Sequence, residues 1–212
     1  MNNIYTVMFC AASLMFLAAC GNGKNAPAPA ADNAPAGLIK AEGEKVPASN
    51  KKDKKILVTY FSHSGNTRNM AEQIASASGA DIFEITPVKA YPSAYGDCVD
   101  QAKKEQQENA RPALSGKAEN MADYDIVFVG YPNWWGTMPM PVFTFLESYD
   151  FAGKTVIPFC THEGSRMGRS EGDIKKLLPS AEVKEGMPVR GSKVKTSGKE
   201  ISAWVEQLGL AK

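Results

Sequence analysis

From residue 56 onward, short apolar runs alternate with stretches of helical period. Ile56-Leu57-Val58-Thr59-Tyr60-Phe61 reads as a buried strand and Asp81-Ile82-Phe83-Glu84-Ile85 as a second. Asp125-Ile126-Val127-Phe128-Val129-Gly130 is apolar on both faces, as the centre of a covered parallel sheet requires. Thr155 to Cys160 is a fourth strand, in which Pro158 predicts a bulge or an edge position. A short fifth strand lies within Ala181 to Arg190. Arg68 to Ser78 carries Met70, Ile74 and Ala77 on one stripe, with small residues beside it that let a helix lie close to a sheet. Tyr91 to Cys98 reads as a loop broken by Pro92 and Gly96, and Val99 to Ala110 as an exposed, weakly amphipathic helix. Pro139 to Tyr149 places Val142, Phe145, Leu146 and Tyr149 at i, i+3, i+4 and i+7. Ser170 with Asp173 resembles a capping box before Ile174, Leu177 and Leu178, and Pro179 stops that helix. Lys199 to Leu208 sets Ile201, Trp204, Val205 and Leu208 on one face, with Trp204 as core packing.

Five strands and five helices in alternation predict a doubly wound parallel α/β sheet over residues 55–212. Ligands of such sheets bind outside the carboxyl ends of the strands, at the switch point. Three loops leave those ends. In the first, Ser62-His63-Ser64-Gly65-Asn66-Thr67, a strand runs through hydroxyls and small residues into a helix N-terminus. Backbone N–H groups and the positive end of the helix dipole then face one point, which makes an anion site. The loop holds no Lys or Arg, so a single phosphate suits it better than a triphosphate; the alternative is an ordinary strand-to-helix turn. The second loop, Tyr131-Pro132-Asn133-Trp134-Trp135-Gly136-Thr137, offers two adjacent tryptophans in a turn, one expected to pack beneath the loop and one to meet a ligand. The third, Thr161-His162-Glu163-Gly164-Ser165-Arg166-Met167-Gly168, offers hydroxyl and amide groups suited to the edge of a heterocycle. One phosphate, one flat ring and several backbone donors describe a flavin mononucleotide (FMN) site.

The chain from Lys55 to Leu208 resembles flavodoxin-like domains, with strand order 2-1-3-4-5. The first loop looks like that family's Thr/Ser-x-Thr/Ser-Gly-x-Thr phosphate signature. Gly130-Tyr131-Pro132-Asn133-Trp134-Trp135 and Thr161-His162-Glu163-Gly164-Ser165 look like its two flavin-flanking loops. The resemblance implies FMN bound without a covalent link and redox chemistry at its ring. The residues expected at the cofactor are Ser62, His63, Ser64, Gly65, Asn66, Thr67, Pro132, Asn133, Trp134, Trp135, Gly136, Thr161, His162, Glu163, Gly164 and Ser165. His162 is the candidate proton donor, the alternative being a structural hydrogen bond within its loop. Arg166 is expected in solvent.

Charge narrows the function. Residues 56–212 hold 17 Lys plus Arg against 19 acids, so no basic field points to nucleic acid. That balance also departs from the strongly acidic electron carriers of the family. Val7 to Ala19 is apolar but too short for a stable bilayer anchor. It ends in Leu17-Ala18-Ala19-Cys20, which resembles a bacterial lipoprotein signal with Cys20 as the acylated residue, although Met1 to Thr6 lacks the usual positive charge. The expected order is therefore a signal peptide at 1–19, lipidated Cys20 with an Ala/Pro/Lys-rich tether at 20–54, and the folded domain. This implies a membrane lipoprotein facing the periplasm, and Gly21 rather than Asp after the cysteine leans toward the outer membrane. With Cys10 leaving in the signal peptide and Cys20 acylated, Cys98 and Cys160 remain, and their pairing stays open. No CxxC pair supports a metal site.

The expectation is an FMN redox protein that transfers electrons at a membrane surface outside the cytoplasm. NAD(P)H is scarce there and no Gly-rich dinucleotide fingerprint is present, which favours a protein redox partner. The alternatives are an FMN-dependent quinone or nitro reductase acting on small acceptors, and a non-redox binding module on the same scaffold.

Overall fold

The computed structural model describes residues 54–212. The expected signal segment, Cys20 and the tether before residue 54 lie outside the described residues. Strands β1 (Ile56–Tyr60), β2 (Asp81–Glu84), β3 (Ile126–Pro132), β4 (Thr155–His162), β5 (Glu182–Val183) and β6 (Met187–Arg190) alternate with helices for most of the chain. The helices are α1 (Asn66–Ser78), α2 (Tyr95–Gln107), α3 (Met140–Glu147), α4 (Ser170–Leu177) and α5 (Gly198–Gln207). The sheet runs β2-β1-β3-β4-β5, with β6 also paired to β4, and every ladder is parallel.

Strand alternation sorts the core into two layers. Val127, Val129 and Tyr131 join Cys98, Val142, Phe145 and Ile174 on the face covered by α2, α3 and α4. Ile126 and Phe128 join Met70, Ile74, Ile201 and Val205 on the face covered by α1 and α5. Trp204 packs on this second face, edge-on to Phe128 at 5.6 Å between ring centroids. Each fully buried apolar side chain of this kind contributes roughly 1.5–3 kcal/mol.

Three local expectations are corrected. The second helix begins at Tyr95, four residues before the expected start, because Ala94 is the last extended residue and Gly96 falls in the first turn, where the backbone ladder has not yet closed. It is also not wholly exposed, since it buries Cys98 and Ala102. Pro158 marks neither an edge strand nor a bulge in β4: it lies opposite Val129 of β3 inside the sheet. Its missing N–H falls where the neighbouring strand breaks into β5 and β6, so the fifth strand is two short pieces around that gap. Ser170 does not cap α4. Its hydroxyl donates to the Met167 carbonyl at 2.6 Å, while Asp173 accepts from Thr137 and Arg169. Cys98 and Cys160 are both buried thiols and form no disulfide.

Candidate functional site at the carboxyl ends of the strands

The first loop carries β1 into α1. Gly65 precedes the helix with φ 87°, in the left-handed region, and its N–H donates to Ser62 Oγ at 3.1 Å. No side chain caps α1 and no acid lies in its first turn, so its leading N–H groups face outward as a ready anion site. The one cation of that turn, Arg68, is turned away: it binds Glu84 at 2.6 Å and Tyr60 Oη at 3.3 Å. The donors of this turn are therefore neutral, which suits one phosphate better than a triphosphate. His63 and Ser64 are exposed at the loop tip. Thr67 is buried, and its hydroxyl shares a 2.8 Å hydrogen bond with that of Thr161.

In the second loop Trp134 and Thr137 exchange backbone hydrogen bonds around Trp135 (φ 52°) and Gly136 (φ 83°). Two positive φ values make a type I′ turn, a geometry that a bulky residue such as Trp135 rarely adopts. Trp134 is half-buried and meets Phe61, His63 and Tyr91 edge-on at 5.5, 5.8 and 5.0 Å. Trp135 is 46% exposed. Its indole N–H donates to the Val99 carbonyl at 3.2 Å, and the Lys103 ammonium sits 4.9 Å above its ring. Asn133 is committed on both ends of its amide: Nδ2 donates to the Arg166 carbonyl and Oδ1 accepts from the Gly136 N–H. It joins the second loop to the third at the wall of a cavity that opens beside the first and second loops. Pro132 closes β3 opposite Thr161.

The third loop is clamped from beneath. The Tyr131 hydroxyl donates to Ser170 Oγ at 2.8 Å, which in turn donates to Met167 O. A Cβ at Gly168 would lie 2.3 Å from the Gly136 carbonyl, so the two loops meet where only glycine fits. His162 ends β4, and its Nδ1 accepts the Gly164 N–H at 2.9 Å, which leaves the proton of the neutral ring on Nε2. Burial, with Arg166 and Arg190 nearby, pushes its pKa below the usual 6.5. Glu163 is exposed, with its carboxylate beside Gly191 and the Asn66 amide. Gly164 and Ser165 are exposed, as is Arg166.

A cavity of about 320 Å³ opens beside the first and second loops, lined by His63, Asn133, Trp134 and Trp135 and by Tyr95, Cys98, Val99 and Ala102 of α2. The α2 wall is the part that pattern reading missed. One signal pointed to it: the loop after β2 also leaves a carboxyl end and carries Tyr91 and Tyr95 around Pro92. Of the two histidines, His63 lines this cavity and His162 does not. Neutral donors at one end and an aromatic wall at the other fit a phosphate joined to a flat ring.

Comparison with known proteins agrees with this geometry. The sequence model of the family described as Flavodoxin matches residues 55–208. A curated relative, an NAD(P)H dehydrogenase (quinone) of Rhizobium johnstonii, is 29% identical over 65% of this chain and 70% of its own. The solved structure of a candidate flavoprotein from Bacteroides eggerthii is 38% identical, covers 73% of this chain and 98% of its own, and has a TM-score of 0.65. A flavoprotein in complex with FMN from Lactobacillus acidophilus is 24% identical over 68% of this chain and 97% of its own, with a TM-score of 0.57.

Proposed function

Because this chain belongs to the flavodoxin family, whose cofactor is FMN at the β1/β3 switch point, we propose that it is a membrane-tethered redox protein that passes electrons outside the cytoplasm. The observation that carries this reading is a shared residue. His63 belongs both to the uncapped loop before α1 and to the wall of the aromatic cavity, which supports one ligand with a phosphate and a flat ring across the two.

FMN, when bound, supplies one- and two-electron chemistry at its ring. The rest is the work of this chain. The first-turn N–H groups of α1 hold the phosphate. Trp134, wedged between Phe61 and Tyr91, presents a fixed aromatic surface and keeps water from the ring. Tyr95 and Trp135 stand exposed at the cavity mouth, where a partner can approach. His63 holds an imidazole N–H at the same wall. Cys20 supplies the anchor, and the 34 residues that follow reach about 110 Å when extended, enough for the domain to meet partners away from the bilayer.

A second reading is a reductase of quinones or nitro compounds. The apolar lining of the cavity (Cys98, Val99, Ala102 and Trp134) and the quinone dehydrogenase relative favour it.

The full chain reconstituted with FMN tests both. Bound flavin absorbance with quenched flavin fluorescence is expected, and their absence sinks the FMN reading. Fast reoxidation of the reduced protein by menadione favours the reductase; slow reoxidation by menadione favours the carrier.

A further inference from the structure

Trp134 rests on a second layer of side chains. Tyr91 meets its ring edge-on at 5.0 Å and touches Phe61 at 5.7 Å. The Tyr91 hydroxyl donates to Glu105 Oε2 on α2, and Gln101 Nε2 donates to Glu105 Oε1 at 2.8 Å. Both carboxylate oxygens are thus held by neutral donors. No basic group neutralises them among the described residues: Lys104 pairs with Glu108, and Lys103 lies over Trp135. Burial and this carboxylate push the Tyr91 phenol up, so Tyr91 stays the donor. Burial first, and then the same carboxylate, push up the Cys98 thiol, which lines the cavity.

We infer that Glu105 is a positioning residue that holds Tyr91 and Trp134 in place and whose fixed negative charge biases the bound cofactor toward its oxidised form. The inference rests on the FMN reading above. Reduction adds electron density to the ring, and an uncompensated carboxylate held by Tyr91 behind the Trp134 wall of the cavity opposes it. Position and charge are separable because they lie on different groups. Glu105→Gln still accepts from Tyr91 but removes the charge. Tyr91→Phe keeps the charge but releases the link.

The test uses the full chain loaded with FMN, with the potential and the FMN affinity of both redox states as readouts. Wild type that binds no FMN overturns the functional reading itself and, with it, this inference. With FMN bound, Glu105→Gln is expected to raise the affinity for reduced relative to oxidised FMN by about tenfold, the size of one unit charge acting over about 12 Å at an effective dielectric of about 20. Glu108→Gln removes an exposed carboxylate one turn further on and is expected to leave that ratio unchanged. Tyr91→Phe is expected to leave the ratio within about twofold while altering the Trp fluorescence of the FMN-free protein, because the ring against Trp134 is no longer fixed by its hydroxyl bond to Glu105. Gln101→Lys keeps the carboxylate and sets an ammonium one turn away, and it is expected to shift the ratio in the same direction as Glu105→Gln. An unchanged ratio in Glu105→Gln, or in Gln101→Lys should Glu105→Gln not fold, overturns the inference. An equal shift in Glu108→Gln overturns it as well.

Discussion

The hydroxyls of Thr67 and Thr161 share a buried 2.8 Å hydrogen bond across 94 residues of chain. It ties the first turn of α1 to the end of β4, and so joins the loop before α1 to the third loop. Thr67→Val leaves the Thr161 hydroxyl buried without its partner, which costs about 1–3 kcal/mol. Urea unfolding without FMN is expected to show that loss, and FMN titration an affinity at least tenfold weaker. Wild-type affinity would remove Thr67 from the site.

The adjacent tryptophans are expected to respond in opposite ways. Trp134 packs among Phe61, His63 and Tyr91, so Trp134→Ala is expected to cost about 3–5 kcal/mol. Trp135 holds a left-handed backbone, which costs an L-residue roughly 1–2 kcal/mol, against one indole hydrogen bond of roughly 0.5–1.5 kcal/mol. Trp135→Asn, the residue this turn prefers before Gly136, is expected to stay within about 1 kcal/mol of wild type in thermal unfolding.

Gly168 is where the second and third loops touch. Its φ of 57° and the 2.3 Å approach of the Gly136 carbonyl to a built Cβ leave no room for alanine. Gly168→Ala is expected to cost about 1–3 kcal/mol and to weaken FMN binding by parting the loops, as read from melting curves and flavin titration.

His162 gives the protein a pH signature. Its folded pKa lies below the 6.5 of the unfolded chain, through burial first and then Arg166 and Arg190. As pH falls through 6.5 the unfolded chain takes the proton first, so stability drops until the folded value is passed. Above 6.5 both states are neutral and this contribution is flat. His162→Gln is expected to remove that slope in unfolding experiments between pH 7 and mildly acid pH. The imidazole resonances of wild type are expected to titrate later on acidification than those of an Arg166→Gln, Arg190→Gln protein.

Anchoring is tested by Cys20→Ser. The wild-type chain is expected in the membrane fraction and the variant in the soluble one; a variant that still sediments with membranes removes Cys20 as the anchor.

The layered parallel sheet was legible in the sequence, because apolar period and strand length are local properties: residues 126–132 carry their own evidence of two-sided burial. The uncapped strand-to-helix loop was legible for the same reason, its hydroxyls and small residues being contiguous from Ser62 to Thr67. Relations between distant segments were decided only by sheet register and helix docking. Those set Tyr91 against Trp134, Thr67 against Thr161, and the early start of α2 that makes it a cavity wall. They also placed His63 at the ring cavity and left His162 bound to its own loop, a distinction that spacing along the chain does not contain. Even the broken fifth strand has its cause elsewhere, in a proline of β4 that has no N–H to offer across the gap.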